Sequence, residues 1–199
     1  MEIVLVRHAL PVRIDATPDG SPADPGLAAL GIEQSARIPA ALAGDVIDAL
    51  YSSPSRRAVE TATPLAAALG MDVTLEPGIA EFDVDDPSYV PVEELRASRD
   101  PRWLALLAGD LYSVGVDPAA FRERVVEAVE RIAAAHPGGR AVLFTHSGTV
   151  NAVAGHVLGQ SSAIWFAPSY CSISRIAISR TGRSGVVSLN ETGHVRDLL

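Results

Sequence analysis

The sequence predicts an α/β sandwich built on a largely parallel sheet. Two observations carry that expectation. Short apolar runs of strand length alternate along the chain with stretches of helical spacing. The first run, Ile3 to Val6, is apolar at every position, which suits a strand covered on both faces. Strands separated by helices pair in parallel through crossovers, and ligands of such folds sit beyond the carboxyl ends of the strands.

The elements follow in order. Glu2 to Val6 is the first strand, and His8 to Gly26, rich in Pro, Asp and Gly, is a loop. A helix is expected from Leu27, with Leu30, Ile38 and Leu42 at roughly helical spacing, weakened at Gly31 and kinked at Pro39. Val46 to Ser52 is a second strand. Ser53 is placed to cap the next helix, with Pro54 at its first position, Pro64 as a kink or restart and Gly70 as its end. Met71 to Glu76 is a third strand. From about 82 to 118, Asp-Pro, Val-Pro and Gly-Asp steps break the pattern, as in a variable insertion over the sheet of a single domain spanning 1–199. Phe121, Val125, Val129 and Ile132 stripe a clear helix that runs to His136. The strand RAVLFTH, the helix GTVNAVAGHVLG and two closing strands, near Ser172 to Ser179 and Gly185 to Asn190, complete the chain.

Composition narrows the function. The 199 residues carry a formal charge of −8, and the 16 basic residues are all Arg. That balance argues against a nucleic-acid surface, which needs a dense basic stripe, but leaves room for a local anion pocket. No stretch approaches the about 18 consecutive apolar residues of a membrane span. One cysteine, Cys171, rules out an intramolecular disulfide framework, and strand-like sequence already at Glu2 leaves no room for a signal peptide. A cytoplasmic protein is expected. Nothing sets an oligomeric state.

The strand-end rule makes the first segment informative, because Ile3 to Val6 runs straight into Arg7 and His8. His146 ends the RAVLFTH strand in the same way. Arg56 and Arg57 follow the second strand, and Glu81 follows the third after Pro77 and Gly78. Two cations in the first turn of a helix oppose its dipole, unless an anion is held there by dipole, backbone N–H groups and guanidinium together. Each of these residues taken singly fits a solvent-facing or structural role. Together they place reactive side chains from four segments on one edge of one sheet.

The segments LVRHA, YSSPSRRAVETA, IAEFD and LFTHSGTVNAV, in that order, resemble the signature segments of the histidine phosphatase superfamily, which also contains cofactor-dependent phosphoglycerate mutases. The resemblance implies a three-layer α/β/α sandwich. It implies that His8 is the nucleophile that becomes phosphorylated, and that Arg7, Arg57 and His146 hold the phosphoryl group. It implies that Glu81 is the proton donor of the phosphoglycerate-mutase-like branch, with Arg56 incidental. The acid-phosphatase-like branch takes its acid directly after the second histidine, where this chain has Ser147. Two differences from the family pattern stand out. Ala9 replaces the usual Gly, and LPVRID replaces the stretch whose Asn touches phosphate, with Arg13 near that position either as a substitute or facing solvent.

The implied activity is metal-independent phosphomonoester hydrolysis of a small-molecule phosphorylated substrate through phosphohistidine, with no cofactor. A neutral imidazole attacks phosphorus, guanidiniums hold the oxygens, and a carboxylic acid protonates the leaving alkoxide. The alternatives are a phosphoglycerate-mutase-type phosphotransferase, a metallohydrolase using His8, His146 and Glu81, and a non-catalytic phospholigand-binding module. The metal alternative lacks HExxH-type spacing, and two arginines would repel a cation. Asp83, Asp85 and Asp86 are either an alternative acid or a solvated loop. Phe82, Tyr89, Trp103, Tyr112, Trp165, Phe166 and Tyr170 are either pocket lining or packing. His136, His156, His194 and Cys171 are expected to be structural.

Overall fold

A computed structural model of the chain describes residues 1–108 and 115–199; Tyr112 lies outside them. The sheet has six strands in the order β3-β2-β4-β1-β5-β6. These are β1 (Glu2–Arg7), β2 (Ala49–Ser52), β3 (Val73–Leu75), β4 (Arg140–Thr145), β5 (Ile173–Ile178) and β6 (Ser184–Glu191). The first four run parallel; β5 lies antiparallel to β1, and β6 antiparallel to β5.

Helices cover both faces, as the alternation of side chains along the central strands requires. Ile3 and Leu5 of β1 and Ala141 and Leu143 of β4 share a core with Phe121, Val125 and Ile132 of α6 (Pro118–Ala135) and with α7 (Ser147–Leu158). Val4, Val6, Val142 and Phe144 point the other way. They pack with Ile38 of α2 (Ile38–Ala41), Leu42, and Ala62 and Leu65 of α3 (Arg56–Leu69). The result is the three-layer α/β/α sandwich.

Several boundaries differ from expectation for identifiable reasons. The first helical segment splits into α1 (Ala29–Ser35) and α2, with Pro39 in the first turn of α2, where its missing N–H is tolerated. Gly31 has a packing role beyond its weak propensity: a Cβ there would stand 2.1 Å from the Leu10 carbonyl oxygen. The second strand begins at Ala49, leaving Val46 78% exposed. Helix α3 begins at Arg56 rather than Pro54: its N-cap is Ser55, which makes no side-chain cap, while the Ser53 hydroxyl accepts from the Ser55 N–H at 3.3 Å and also meets His146. It runs through Pro64 unbroken and ends at a left-handed Gly70, φ 63°. Helix α6 starts three residues earlier than its apolar stripe, at Pro118. Asp117 caps it by accepting from the N–H groups of Ala119 and Ala120.

The segment from 82 onward carries α4 (Val92–Ser98) and α5 (Pro101–Ala108) outside the sheet. It is laced to the loop after β1: Ile14 and Tyr89 exchange backbone hydrogen bonds of 2.9 and 2.7 Å, and the Ala23 N–H donates to Asp86. No helix among the described residues is long and apolar enough to cross a membrane.

Candidate active site

Backbone pairing beyond the strand ends puts the site together. The His8 N–H donates to the Thr145 carbonyl at 2.8 Å, and the Ser53 N–H to Phe144 at 2.9 Å. His8, Ser53 and His146 therefore leave β1, β2 and β4 side by side. Because β5 is antiparallel, its amino end reaches the same edge, where the Arg7 N–H donates to the Ser172 carbonyl and the Cys171 N–H to that of His8. This delivers Pro168 and Tyr170, which a rule about carboxyl ends alone would not place there.

The His8 ring is buried, 3% exposed. Its Nδ1 lies 2.9 Å from the Ala9 carbonyl oxygen, which can only accept, so Nδ1 carries the proton and Nε2 keeps its lone pair. Burial, with the charges of Arg57 and Arg7 added, holds the imidazole well below its usual pKa. Ala9 fits where the family pattern has Gly; it is fully buried, and its N–H donates to the Thr61 hydroxyl.

Both guanidiniums are buried and fixed from outside the site. Arg7 donates to the Pro168 carbonyl at 2.6 Å and lies 3.7 Å over the Tyr170 ring. Arg57 donates to Asp83 at 2.8 Å and lies 4.7 Å over the Tyr89 ring. The His146 ring, 5.2 Å from that of His8 between centroids, meets the Ser53 hydroxyl through Nε2 at 2.8 Å. Its pKa is also held well below the usual value, by burial first and then by Arg57. Nε of Arg7, Nε of Arg57 and Nδ1 of His146 are buried without a hydrogen-bond partner among the described residues. Each such group costs about 1–3 kcal/mol unless a ligand satisfies it. Three of them around one free imidazole nitrogen suit an anion with several oxygens.

Glu81 reaches this edge on the turn after β3. That turn is held by the Thr145 and Thr149 hydroxyls, which both donate to the Ile79 carbonyl. The Glu81 carboxyl accepts from the N–H of Gly148 at 2.8 Å and of Phe82 at 3.2 Å. Burial, helped by the neighbouring Asp83 charge, raises its pKa from 4.5 to about 7. A group so poised carries a proton for much of the time near neutrality and can both give and take one.

The remaining candidates sort cleanly. Arg56 is exposed and paired with Glu60. Arg13 is half-exposed, its guanidinium held by Asp15 and Glu94, so it does not stand in for the pocket Asn. Asp83 is the partner of Arg57, while Asp85 and Asp86 lie in an exposed loop. Tyr89 and Tyr170 line the site through their arginine contacts. Trp165 and Phe166 pack on Asn151, whose side chain bridges their backbone to α7. His136 meets the Tyr51 hydroxyl at a helix end, His194 the Cys171 carbonyl, and His156 is exposed. Ser53 had no expected role beyond capping. Its place directly after a parallel strand, on the edge that holds His8 and His146, was the available signal.

A free imidazole nitrogen, two clamped guanidiniums and a buried carboxyl that protonates near neutrality make a site suited to phosphoryl transfer without a metal. Comparison with known proteins identifies the family. The chain belongs to the histidine phosphatase superfamily (branch 1), whose family model it matches over residues 3–192. It is 28% identical over 203 residues to phosphoserine phosphatase 1 of Hydrogenobacter thermophilus, across 98% of this chain and 94% of that protein. Two solved structures share the fold. One is a mutant phosphoserine phosphatase of Entamoeba histolytica with phosphoserine, with a TM-score of 0.76, 20% identity and 98% of each chain covered. The other is a mycobacterial glucosyl-3-phosphoglycerate phosphatase with inorganic phosphate, with a TM-score of 0.75 and 19% identity over 98% of this chain and 99% of that one. The chain is accordingly a phosphoglycerate-mutase-like phosphohydrolase, and a mutase or a non-catalytic module is not favoured.

Proposed function

We propose that the chain is a phosphomonoesterase working through phosphohistidine at His8 Nε2, on a small phosphorylated metabolite in the cytoplasm. The observation that carries this is the His8 tautomer: Nδ1 is tied to the Ala9 carbonyl, leaving Nε2 free beside the unpartnered Nε–H donors of Arg7 and Arg57. In the first step Nε2 attacks phosphorus, the N–P bond forms and the P–O bond to the alcohol breaks. The Glu81 proton passes to the leaving alkoxide. In the second, water attacks phosphorus while Glu81 takes its proton, the N–P bond breaks, and inorganic phosphate leaves. Arg7 and Arg57 offset the charge on the phosphoryl oxygens throughout. The Ser53 hydroxyl meets His146 Nε2 at 2.8 Å, and the tautomer with its proton on Nδ1 would add a third donor. The phosphorylated alcohols named for the relatives support a small substrate, and a lone buried Cys171 suits a reducing compartment.

The test is p-nitrophenyl phosphate hydrolysis in excess chelator by wild type and His8→Ala, with rapid quenching of the wild type. Chelator-resistant turnover that disappears in the variant is expected, along with an acid-labile, alkali-stable phosphoprotein. Equal turnover in both proteins would overturn the mechanism.

A further inference from the structure

A cavity of about 780 Å³ opens beside the site, and Glu81 and Arg57 form part of its wall. It falls in the roughly 300–1,000 Å³ range of pockets that hold whole small molecules. If Glu81 protonates the leaving oxygen, the rest of that alcohol extends into this space. The wall there is built from Pro22, Ala23, Phe82, Val116, Ala120 and Phe121. Phe82 and Phe121 meet edge to face, with centroids 5.7 Å apart.

The charged groups on the wall select against a carboxylate. Arg57 is committed to Asp83 and, in the proposed mechanism, to the phosphoryl group. Arg124 already donates to the carbonyls of Pro77, Gly78 and Ala80, at 3.0 to 3.1 Å. The other charged side chains on the wall, Asp24 and Asp117, are acidic. A leaving group bearing a carboxylate would meet the acidic Asp24 and Asp117, and the one wall guanidinium outside the phosphate clamp among the described residues, Arg124, is turned to three backbone carbonyls. An uncharged apolar one would bury its surface against two aromatic rings.

We infer that this cavity is the leaving-group subsite and that the enzyme prefers phosphomonoesters of uncharged, apolar alcohols. The inference rests on the phosphatase reading above and differs from the substrates named for the relatives. The experiment compares kcat/KM for 2-phenylethyl phosphate, ethyl phosphate, phosphoserine and 3-phosphoglycerate. All are esters of alkyl alcohols, so leaving-group acidity does not dominate the ranking. At least a tenfold preference for the phenylethyl ester over each of the others is expected. Ala120→Arg, at an exposed helical position, should cut the phenylethyl-to-ethyl ratio by tenfold or more. Val84→Arg, in an exposed loop on the same cavity, repeats that test if the first variant folds poorly. Phosphoserine or 3-phosphoglycerate matching the phenylethyl ester would overturn the preference. A ratio unmoved by either arginine in folded protein would overturn the assignment of the cavity. Failure of wild type on every ester, p-nitrophenyl phosphate included, with no phosphohistidine formed, would instead remove the phosphatase mechanism itself.

Discussion

Replacing Gly148 with Ala should disable Glu81 while leaving His8 competent. In α7 the backbone at 148 is ordinary helix, so propensity alone favours Ala by about 1 kcal/mol. The added Cβ, however, would stand 2.2 Å from Glu81 Oε1 and 2.9 Å from a carbon of the Phe82 ring. A carboxyl at the end of a side chain yields more readily than backbone, so Glu81 swings away from the Gly148 N–H. Overpacking costs about 1–3 kcal/mol. Set against the propensity gain, that leaves a loss of at most about 2 kcal/mol and a fall in Tm of only several degrees. Catalysis suffers more, because a positioned general acid contributes about 10²- to 10⁴-fold. Turnover of an alkyl phosphate should therefore fall at least about 100-fold. With p-nitrophenyl phosphate, whose leaving phenolate needs no proton, stopped-flow should show a burst near one product per site. Slow turnover follows, since the displaced Glu81 no longer activates water. Equal loss on both substrates with no burst, in folded protein, would refute the assignment of Glu81. Glu81→Gln, with little change in volume, should give the same burst.

Three other outcomes are expected. Asp83→Asn removes a charge that holds the Glu81 pKa up. Activity that needs protonated Glu81 is lost as pH rises through its pKa, so the alkaline limb of kcat/KM, near 7 in wild type, should move to lower pH. An unmoved limb would show that burial alone sets it. Ser53→Ala strips the 2.8 Å bond from His146 and should cost about 1–3 kcal/mol of stability. It should also lower kcat about tenfold, by the same differential if the lost orientation is felt in the transition state; Ser53→Thr should recover much of the loss. Glu81→Gln should be more stable than wild type at high pH. A folded pKa raised from 4.5 to about 7 means that folding binds a proton in that window, so wild-type stability falls as pH rises through it, by about 3 kcal/mol in full. Urea midpoints at pH 5 and pH 8.5 check this: the variant's advantage should appear only at the higher pH.

The layers were legible because strand burial writes itself into sequence. Ile3 to Val6 and Ala141 to Phe144 must be apolar at every position when helices cover both faces. The direction of β5 and β6 was not legible, since an apolar run looks the same read either way along a sheet. That orientation matters to the site. It brings Tyr170 and Pro168 to the Arg7 guanidinium, 163 and 161 positions away in sequence, and no local pattern encodes such a contact.

The site residues divide along the same line. Arg7, His8, Arg57 and His146 announce themselves because polar groups at the ends of buried strands need a reason to be there. Arg13 and Asp83 do not, because the role of a charge depends on which opposite charge reaches it first. Glu94 and Asp15 take Arg13 away from the pocket, whereas Asp83 reaches in to Arg57. Asp83 thereby acts on both halves of the proposed reaction. Its carboxylate fixes the guanidinium that would hold phosphate, and its charge raises the pKa of the carboxyl that would protonate the leaving group. The substitution Asp83→Asn consequently predicts two opposed effects: Arg57 gains freedom to bind phosphate, and Glu81 loses its proton sooner. Tighter inhibition by inorganic phosphate together with an earlier alkaline limb would show that one side chain couples them. Either change without the other would show that binding and protonation are set independently.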